Sequence, residues 1–215
     1  MGIFSPIIRE EGPAMTTLQR EENPAPRGNT RRAELVALAG RLFQERGYHG
    51  VGMRAIAEAA GIQAASLYHH FRNKEELLLE TIFVVDRDMV AEQLPILDGP
   101  GTHRERLARL VHAHILHIGA NHDAWRVAGR ELRALSPEHL EMVQGYRRGY
   151  QHRITRHLTD GVGAGEFVCS DPRLATLALL DMINGPNEWY QPDGRLDIGE
   201  IADLYAEMVI RQLSD

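Results

Sequence analysis

Three histidines, His112, His114 and His117, fall within one hexapeptide, HAHILH. Residues three apart on a helix share a face, so His114 and His117 are spaced to hold a metal ion together with a ligand from elsewhere. No cysteine-rich or carboxylate–histidine spacing accompanies them, and the favoured reading is of histidines at the core edge and surface. No nucleophile elbow, phosphate loop or metalloprotease motif occurs. GVGAGEF at 161–167 is glycine-rich but follows a helical stretch, so it reads as a loop and not as a dinucleotide site. The expectation is a chain with no catalytic residue, no metal and no cofactor. A different chemistry stands at 61–74, GIQAASLYHHFRNK, which offers amide, hydroxyl, phenol and imidazole groups and no lysine or arginine before Arg72.

The charge is unevenly placed. The whole chain carries −6, yet residues 25–74 hold eight Lys/Arg against three Asp/Glu, while 75–215 hold fourteen against twenty-three. A basic segment on an acidic body is a division of labour, because neutralising phosphates needs only a local positive surface. Cys169 is the one cysteine, which rules out an internal disulfide framework and leads us to expect a reducing, cytoplasmic setting. No apolar run reaches the roughly 18 residues of a membrane span, and no membrane partner is expected.

The elements that must position these groups read as helices throughout, giving an all-α fold of about nine helices. Residues 1–29, rich in Pro, Gly and Glu, read as a flexible tail, with Met15 a candidate alternative start. Residues 30–76 read as a helix-turn-helix head and 77–215 as a larger ligand-binding and dimerisation domain. In the head, a helix capped by Asn29 or Thr30 places Leu35, Leu38, Ala39, Leu42 and Phe43 on one face and ends at Gly47. Short helices follow at 53–60 and 64–71, separated by Gly61, and Asn73 caps a fourth that Pro95 is expected to stop near Gln93. Beyond it lie 102–121, a short piece near 124–134, 137–159 with Ser136 as cap, 171–185 and 197–213. LATLALLDMI at 174–183 is apolar nearly all round, as in a helix buried on several sides or pressed against a partner chain.

Short second and third helices joined by a glycine-led turn have helix-turn-helix spacing. The stretch LFQERGYHGVGMRAIAEAAGIQAASLYHHFRNKEELL also resembles the N-terminal domain of the tetracycline-repressor-type (TetR) transcriptional regulators. The match runs over about 31–80. Phe43, Gly47 and Tyr48 fall at the end of that family's first helix, Ile56, Ala57, Ala60 and Gly61 in its second, and Leu67, Tyr68, Phe71 and Lys74 in its third and the start of its fourth. The resemblance implies a homodimeric regulator, a repressor released from a near-palindromic operator in double-stranded DNA by a small-molecule inducer. It places Gln63, Ala64, Ala65 and Ser66 at bases and Tyr68, His69, His70 and Lys74 at phosphates and sugars, with Arg31 and Arg54 nearby. Arg27, Arg31 and Arg32 are the candidates for an arm that reaches DNA. The family's capping Ser or Thr of the second helix is here Gly52, which loses one hydroxyl contact to phosphate. The methyl groups at 64 and 65 suit thymine methyls.

Aromatic and polar residues suited to an inducer site in the acidic body are His114, His117, Trp125, Arg126, Arg130, Tyr146, Tyr150, Asn184 and Trp189. The family's last two helices form its dimer bundle, which implies an interface built on Leu177, Leu180, Ile201, Leu204, Tyr205 and Met208. DPRLATLALLDMIN…EWYQPDGRLDIGEIADLYAEMVI is similar to the TetR-type regulators of lipid and steroid breakdown, whose inducers are often acyl-CoA thioesters. For such a ligand, Arg126, Arg130, Arg147 or Arg148 are the natural phosphate partners. Two rival readings are a helical metabolite sensor whose head has lost operator binding, and a His-dependent metalloenzyme.

Overall fold

The computed structural model describes Arg27–Ser214, with side chains from Thr30 onward; the tail read at 1–29, including Arg27 as part of an arm, lies outside the described side chains. Among the described residues every regular element is helical. Contacts divide the chain into two compact units. One joins the chain through Val85 with Asp123–Gln144, and the other joins Asp86–His122 with the chain from Gly145. The sequence reading puts the domain boundary near residue 76 and leaves 123–144 with the body; the contacts place that segment with the head.

The first unit holds α1 (Arg27–Arg46), α2 (Met53–Ala59), α3 (Ala64–His70) and the first half of α4 (Lys74–Leu97). It also holds most of α6 (His122–Arg130), a 3-10 turn (Leu132–Ala134) and the start of α7 (Pro137–Gly163). Helix α1 begins at Arg27, so Asn29 and Thr30 lie within its first turn and do not cap it. It ends as expected at Gly47, whose φ of 71° is the left-handed conformation that glycine adopts without penalty. Leu35, Ala39, Phe43, Ile56, Ala57, Leu67, Phe71, Leu78 and Ile82 form a continuous core with Val127, Ala128, Leu135 and Val143. Two carboxylates tie the distant segments together. Glu131 accepts the Tyr48 N–H at 3.0 Å, and Glu75 accepts the Ser136 N–H at 2.7 Å beside His139. The Ser136 N–H holds the Glu75 carboxyl below the usual carboxylate range. Asn73 accepts the Glu76 N–H at 2.8 Å, starting α4 as the sequence reading expects.

The second unit holds the rest of α4 and α7 with α5 (His103–Ala120), α8 (Pro172–Asn184), α9 (Pro186–Trp189) and α10 (Ile198–Gln212). Pro95 does not stop α4, which runs through it to Leu97. Pro95 and Ala91 are both exposed, so the carbonyl deprived of its partner faces water and the loss is mild. Thr102 and Asp197 open α5 and α10 with reciprocal capping boxes to Glu105 and Glu200. Helices α5 and α10 pack closely because Gly119 has no side chain; a Cβ there would stand 2.5 Å from Cγ1 of Ile198. Helix α8 closes on Asn184, and the four-residue α9, absent from the sequence reading, follows Gly185.

Candidate functional site

The geometry of α3 follows from which residues it can bury. Leu67 and Phe71, four apart, are 0% and 1% exposed and fix the helix to the core beside Ile56 and Ala57. Gly61, at φ 65°, turns the chain between α2 and α3, and its neighbour Ile62 donates its N–H to Ala57 O at 3.0 Å. With that face buried, Gln63, Ala65, Ser66, Tyr68 and His69 are exposed, and Ala64 and His70 are half-buried. Tyr68 is 52% exposed, and its phenol has no hydrogen-bond partner among the described residues. An exposed tyrosine with an open hydroxyl offers an apolar body and a polar tip to a partner.

The cations around α3 fall into two groups. Arg54 and Arg72 are exposed and their guanidinium groups make no ion pair among the described residues. The others are occupied inside the head. Arg31 donates to Glu34 at 2.8 Å and to Ala60 O at 3.0 Å. Lys74 donates to Tyr48 O at 2.9 Å and Val51 O at 3.0 Å, with its ammonium 4.1 Å above the Tyr48 ring. This ammonium therefore secures the turn before α2, which leaves it at most one donor for a phosphate. Arg32 donates to the carbonyl of His70, pairs with Glu76 at 3.3 Å and Glu80 at 3.2 Å, and stacks 4.2 Å over the Phe71 ring. It straps down the C-terminal end of α3, a role that spacing in the sequence does not reveal because its partners lie 38 or more residues away. Gly52 stands in extended conformation before α2 with no side-chain cap, as its residue type dictates.

In the second unit the histidines of HAHILH part company. His112 faces Asp203 at 3.3 Å, His117 faces Glu92 at 3.4 Å, and His114 enters a buried polar cluster. Among the described residues no group of three metal-ligating side chains converges. His114 Nδ1 lies 3.2 Å from Gln93 Oε1 and 3.3 Å from the Tyr150 hydroxyl, and its Nε2 lies 3.1 Å from Asn184 Oδ1. The Tyr150 hydroxyl donates to Gln93 Oε1 at 2.6 Å. Burial draws the His114 pKa down to about 4 and pushes the Tyr150 phenol up. Gln93, the fourth member, is absent from the sequence reading, since a lone glutamine on α4 carries no pattern. Below this cluster Arg147 donates to Asp86 at 2.9 Å, both side chains being almost wholly buried. Arg147 is therefore withdrawn as an exposed phosphate partner.

The nine residues suited to an inducer are not all gathered. His114, Tyr150 and Asn184 share the cluster, and His117 is buried on the same helix as His114. Tyr146 is half-buried, and Trp189 is 50% exposed with its ring 6.4 Å from that of Tyr205. Trp125, Arg126 and Arg130 belong to the unit that contains the head. The residues suited to a dimer interface divide likewise. Leu180 and Ile201 are buried within their own chain at 0% and 3%, whereas Leu204 and Met208 are exposed and Leu177 and Tyr205 half-buried. The helix read as buried on several sides or pressed against a partner chain keeps one exposed flank within its own chain, where Leu174 is 63% exposed.

A short helix with a buried apolar face and an exposed polar one, mounted after a glycine turn on a basic head, defines a helix-turn-helix protein. Residues 35–81 match the model of the bacterial regulatory proteins of the tetR family, and residues 100–213 match the tetracyclin repressor-like C-terminal domain. The chain belongs to the TetR family of transcriptional regulators. It is 31% identical to the HTH-type transcriptional repressor KstR2 of Rhodococcus jostii, over 86% of this chain and 91% of the relative. The structure of the ketosteroid transcriptional regulator KstR2 of Mycobacterium tuberculosis superposes with a TM-score of 0.79 at 28% identity, over 87% of this chain and 96% of that one. AibR in complex with isovaleryl coenzyme A and operator DNA superposes at 0.75 and 27% identity, over 83% and 97%.

Proposed function

We propose that the protein is a homodimeric repressor that binds a near-palindromic operator through α3 and leaves it when a small hydrophobic or acyl-CoA-type inducer enters the second unit. The observation that carries the reading is the exposed face of α3, where Gln63, Ser66, Tyr68 and His69 stand clear of the core that Leu67 and Phe71 anchor. Gln63, Ala64, Ala65 and Ser66 meet base edges. Tyr68, His69, Arg54 and the backbone at Gly52 meet phosphates, with His70, Lys74 and Arg31 holding the frame around them. Few strong polar readers are present, so part of the selectivity comes from DNA shape and half-site spacing. The relatives support the inducer class: one is a repressor, and AibR is seen with both a CoA thioester and operator DNA.

For the inducer, His114, Tyr150 and Asn184 supply polar contacts in the second unit, and Arg148 of the same unit meets CoA phosphates. Leu204, Met208, Leu177 and Tyr205 form the dimer contact, with Leu174 and Trp189 extending its exposed flank. We read the protein as a cytoplasmic regulator that catalyses no reaction, a reading its relatives support because they are named as transcriptional regulators. No described helix is long and apolar enough to cross a membrane. The reading is tested by fluorescence anisotropy on DNA flanking the protein's own gene, with decanoyl-CoA added to the complex. Saturable binding with two chains per duplex, lost on adding the thioester, supports it. Binding that no thioester disturbs removes the acyl-CoA part, and absence of binding leaves a metabolite sensor without an operator.

A further inference from the structure

Gln93, His114, Tyr150 and Asn184 come from α4, α5, α7 and α8, and none is more than 5% exposed. Their hydrogen bonds do not close on one another. The imidazole is neutral at physiological pH, because burial holds its pKa near 4. A neutral ring carries one N–H, yet its two nitrogens face two amide oxygens, Gln93 Oε1 and Asn184 Oδ1. The unprotonated nitrogen then needs a donor, which is an amide turned to present its NH2 group or, at Nδ1, the Tyr150 hydroxyl. If the proton sits on Nδ1, Asn184 turns and the Gln93 NH2 is left over; if it sits on Nε2, the Asn184 NH2 is left over. In either tautomer one buried amide donor remains, and both Gln93 Nε2 and Asn184 Nδ2 are buried with no hydrogen-bond partner among the described residues. Orphaned buried donors of this kind are rare and call for a partner.

We propose that this cluster recognises an uncharged oxygen acceptor carried on the apolar part of the effector, a ketone, lactone or ester carbonyl, with an amide N–H of Gln93 or Asn184 as the donor. The inference rests on the reading that the effector enters the second unit, and it adds which functional group is read there. A carboxylate does not suit the cluster: its four groups are neutral, and Arg147, one turn before Tyr150 on α7, is held by Asp86. Burying an anion among neutral groups is strongly disfavoured. A plain alkyl chain does not suit it either, since the amide donor would stay unpaired.

The test uses isothermal titration of the full chain with matched pairs: decanoyl-CoA against its monoketo derivatives, and trans-decalin against trans-1-decalone. At least one ketone should bind about tenfold tighter than its hydrocarbon partner. Gln93→Met and Asn184→Leu, checked for folding by thermal melts, should bring that ratio close to one. The comparison on the unaltered protein needs no variant. Equal affinities within every pair, or a preference that survives in both folded variants, overturns the proposal. If decanoyl-CoA releases DNA without any ketone preference, this inference falls and the acyl-CoA reading stands. If 1-decalone shows the preference and no CoA thioester binds, this inference stands and the acyl-CoA reading falls. Binding by no member of the panel overturns both.

Discussion

Replacing Arg32 by alanine separates a residue that holds α3 in place from one that holds DNA. The guanidinium contributes a charge-assisted hydrogen bond to the His70 carbonyl, a stack on Phe71 and ion pairs to Glu76 and Glu80. A hydrogen bond involving a charged group is worth about 1.5 kcal/mol, and a partly exposed cation–π contact about 0.5 kcal/mol. The ion pairs are partly open to solvent, with side chains 28–36% exposed, and add only a few tenths of a kcal/mol each. These terms share one group and do not simply add, so we expect a loss of about 2 kcal/mol in urea denaturation. With the end of α3 released, operator affinity should fall about tenfold, the equivalent of roughly 1.4 kcal/mol. The slope of log affinity against log salt should stay unchanged, because no phosphate contact is lost. Arg32→Lys keeps the charge without the planar fork and should restore less than half of either loss. A slope shallower by about 0.9 would make Arg32 a phosphate contact, and unchanged stability and affinity would refute the strap altogether.

Tyr68→Ala should weaken operator binding while shifting folding stability by less than about 0.5 kcal/mol, because the side chain is half exposed; a collapse of the thermal melt would make it a packing residue. His114 is neutral in the folded state with a pKa of about 4 against an ordinary 6.5, so the unfolded chain takes up the proton first as pH falls. Stability from this group is therefore present above pH 6.5 and is lost between 6.5 and 4, by about 2 kcal/mol at pH 5. Urea titrations at pH 7.5 and 5 should show a smaller drop for His114→Gln than for the unaltered protein; equal drops would contradict the assignment. Gly52→Ser places a side chain where a Cβ meets nothing within 4 Å. It should add a few tenths of a kcal/mol as a cap and strengthen DNA binding through a hydroxyl–phosphate contact, and weaker binding would show that the DNA backbone leaves no room there.

What the sequence discloses is governed by range. Gly47, Asn73 and Ser136 mark helix ends through chemistry confined to one turn, and the buried pair Leu67 and Phe71 follows from four-residue spacing. Pro95 misleads because its effect depends on whether the bereft carbonyl meets water, which is a property of the fold. The stripe on α10 shows that Ile201, Leu204 and Met208 are apolar, yet periodicity cannot say that Ile201 packs within its own chain while Leu204 and Met208 stay exposed. The allegiance of 123–144 to the head rests on Glu131 with Tyr48 and Glu75 with Ser136, pairs more than 60 residues apart. The polar cluster is legible only in part: His114, Tyr150 and Asn184 are unusual enough to single out, whereas Gln93 acquires meaning only beside them.

The central claim, that α3 reads DNA on behalf of a two-fold assembly, is tested most directly by selection from a random duplex library. The purified full chain is mixed with the library at about physiological ionic strength, where nonspecific phosphate binding is weakened, and the stoichiometry of the selected complex is measured by native mass spectrometry. The account predicts enrichment of a near-palindrome whose half-sites lie one or more helical turns apart, bound by an even number of chains. No sequence enriched over the input, or an asymmetric site taken by a single chain, would contradict it.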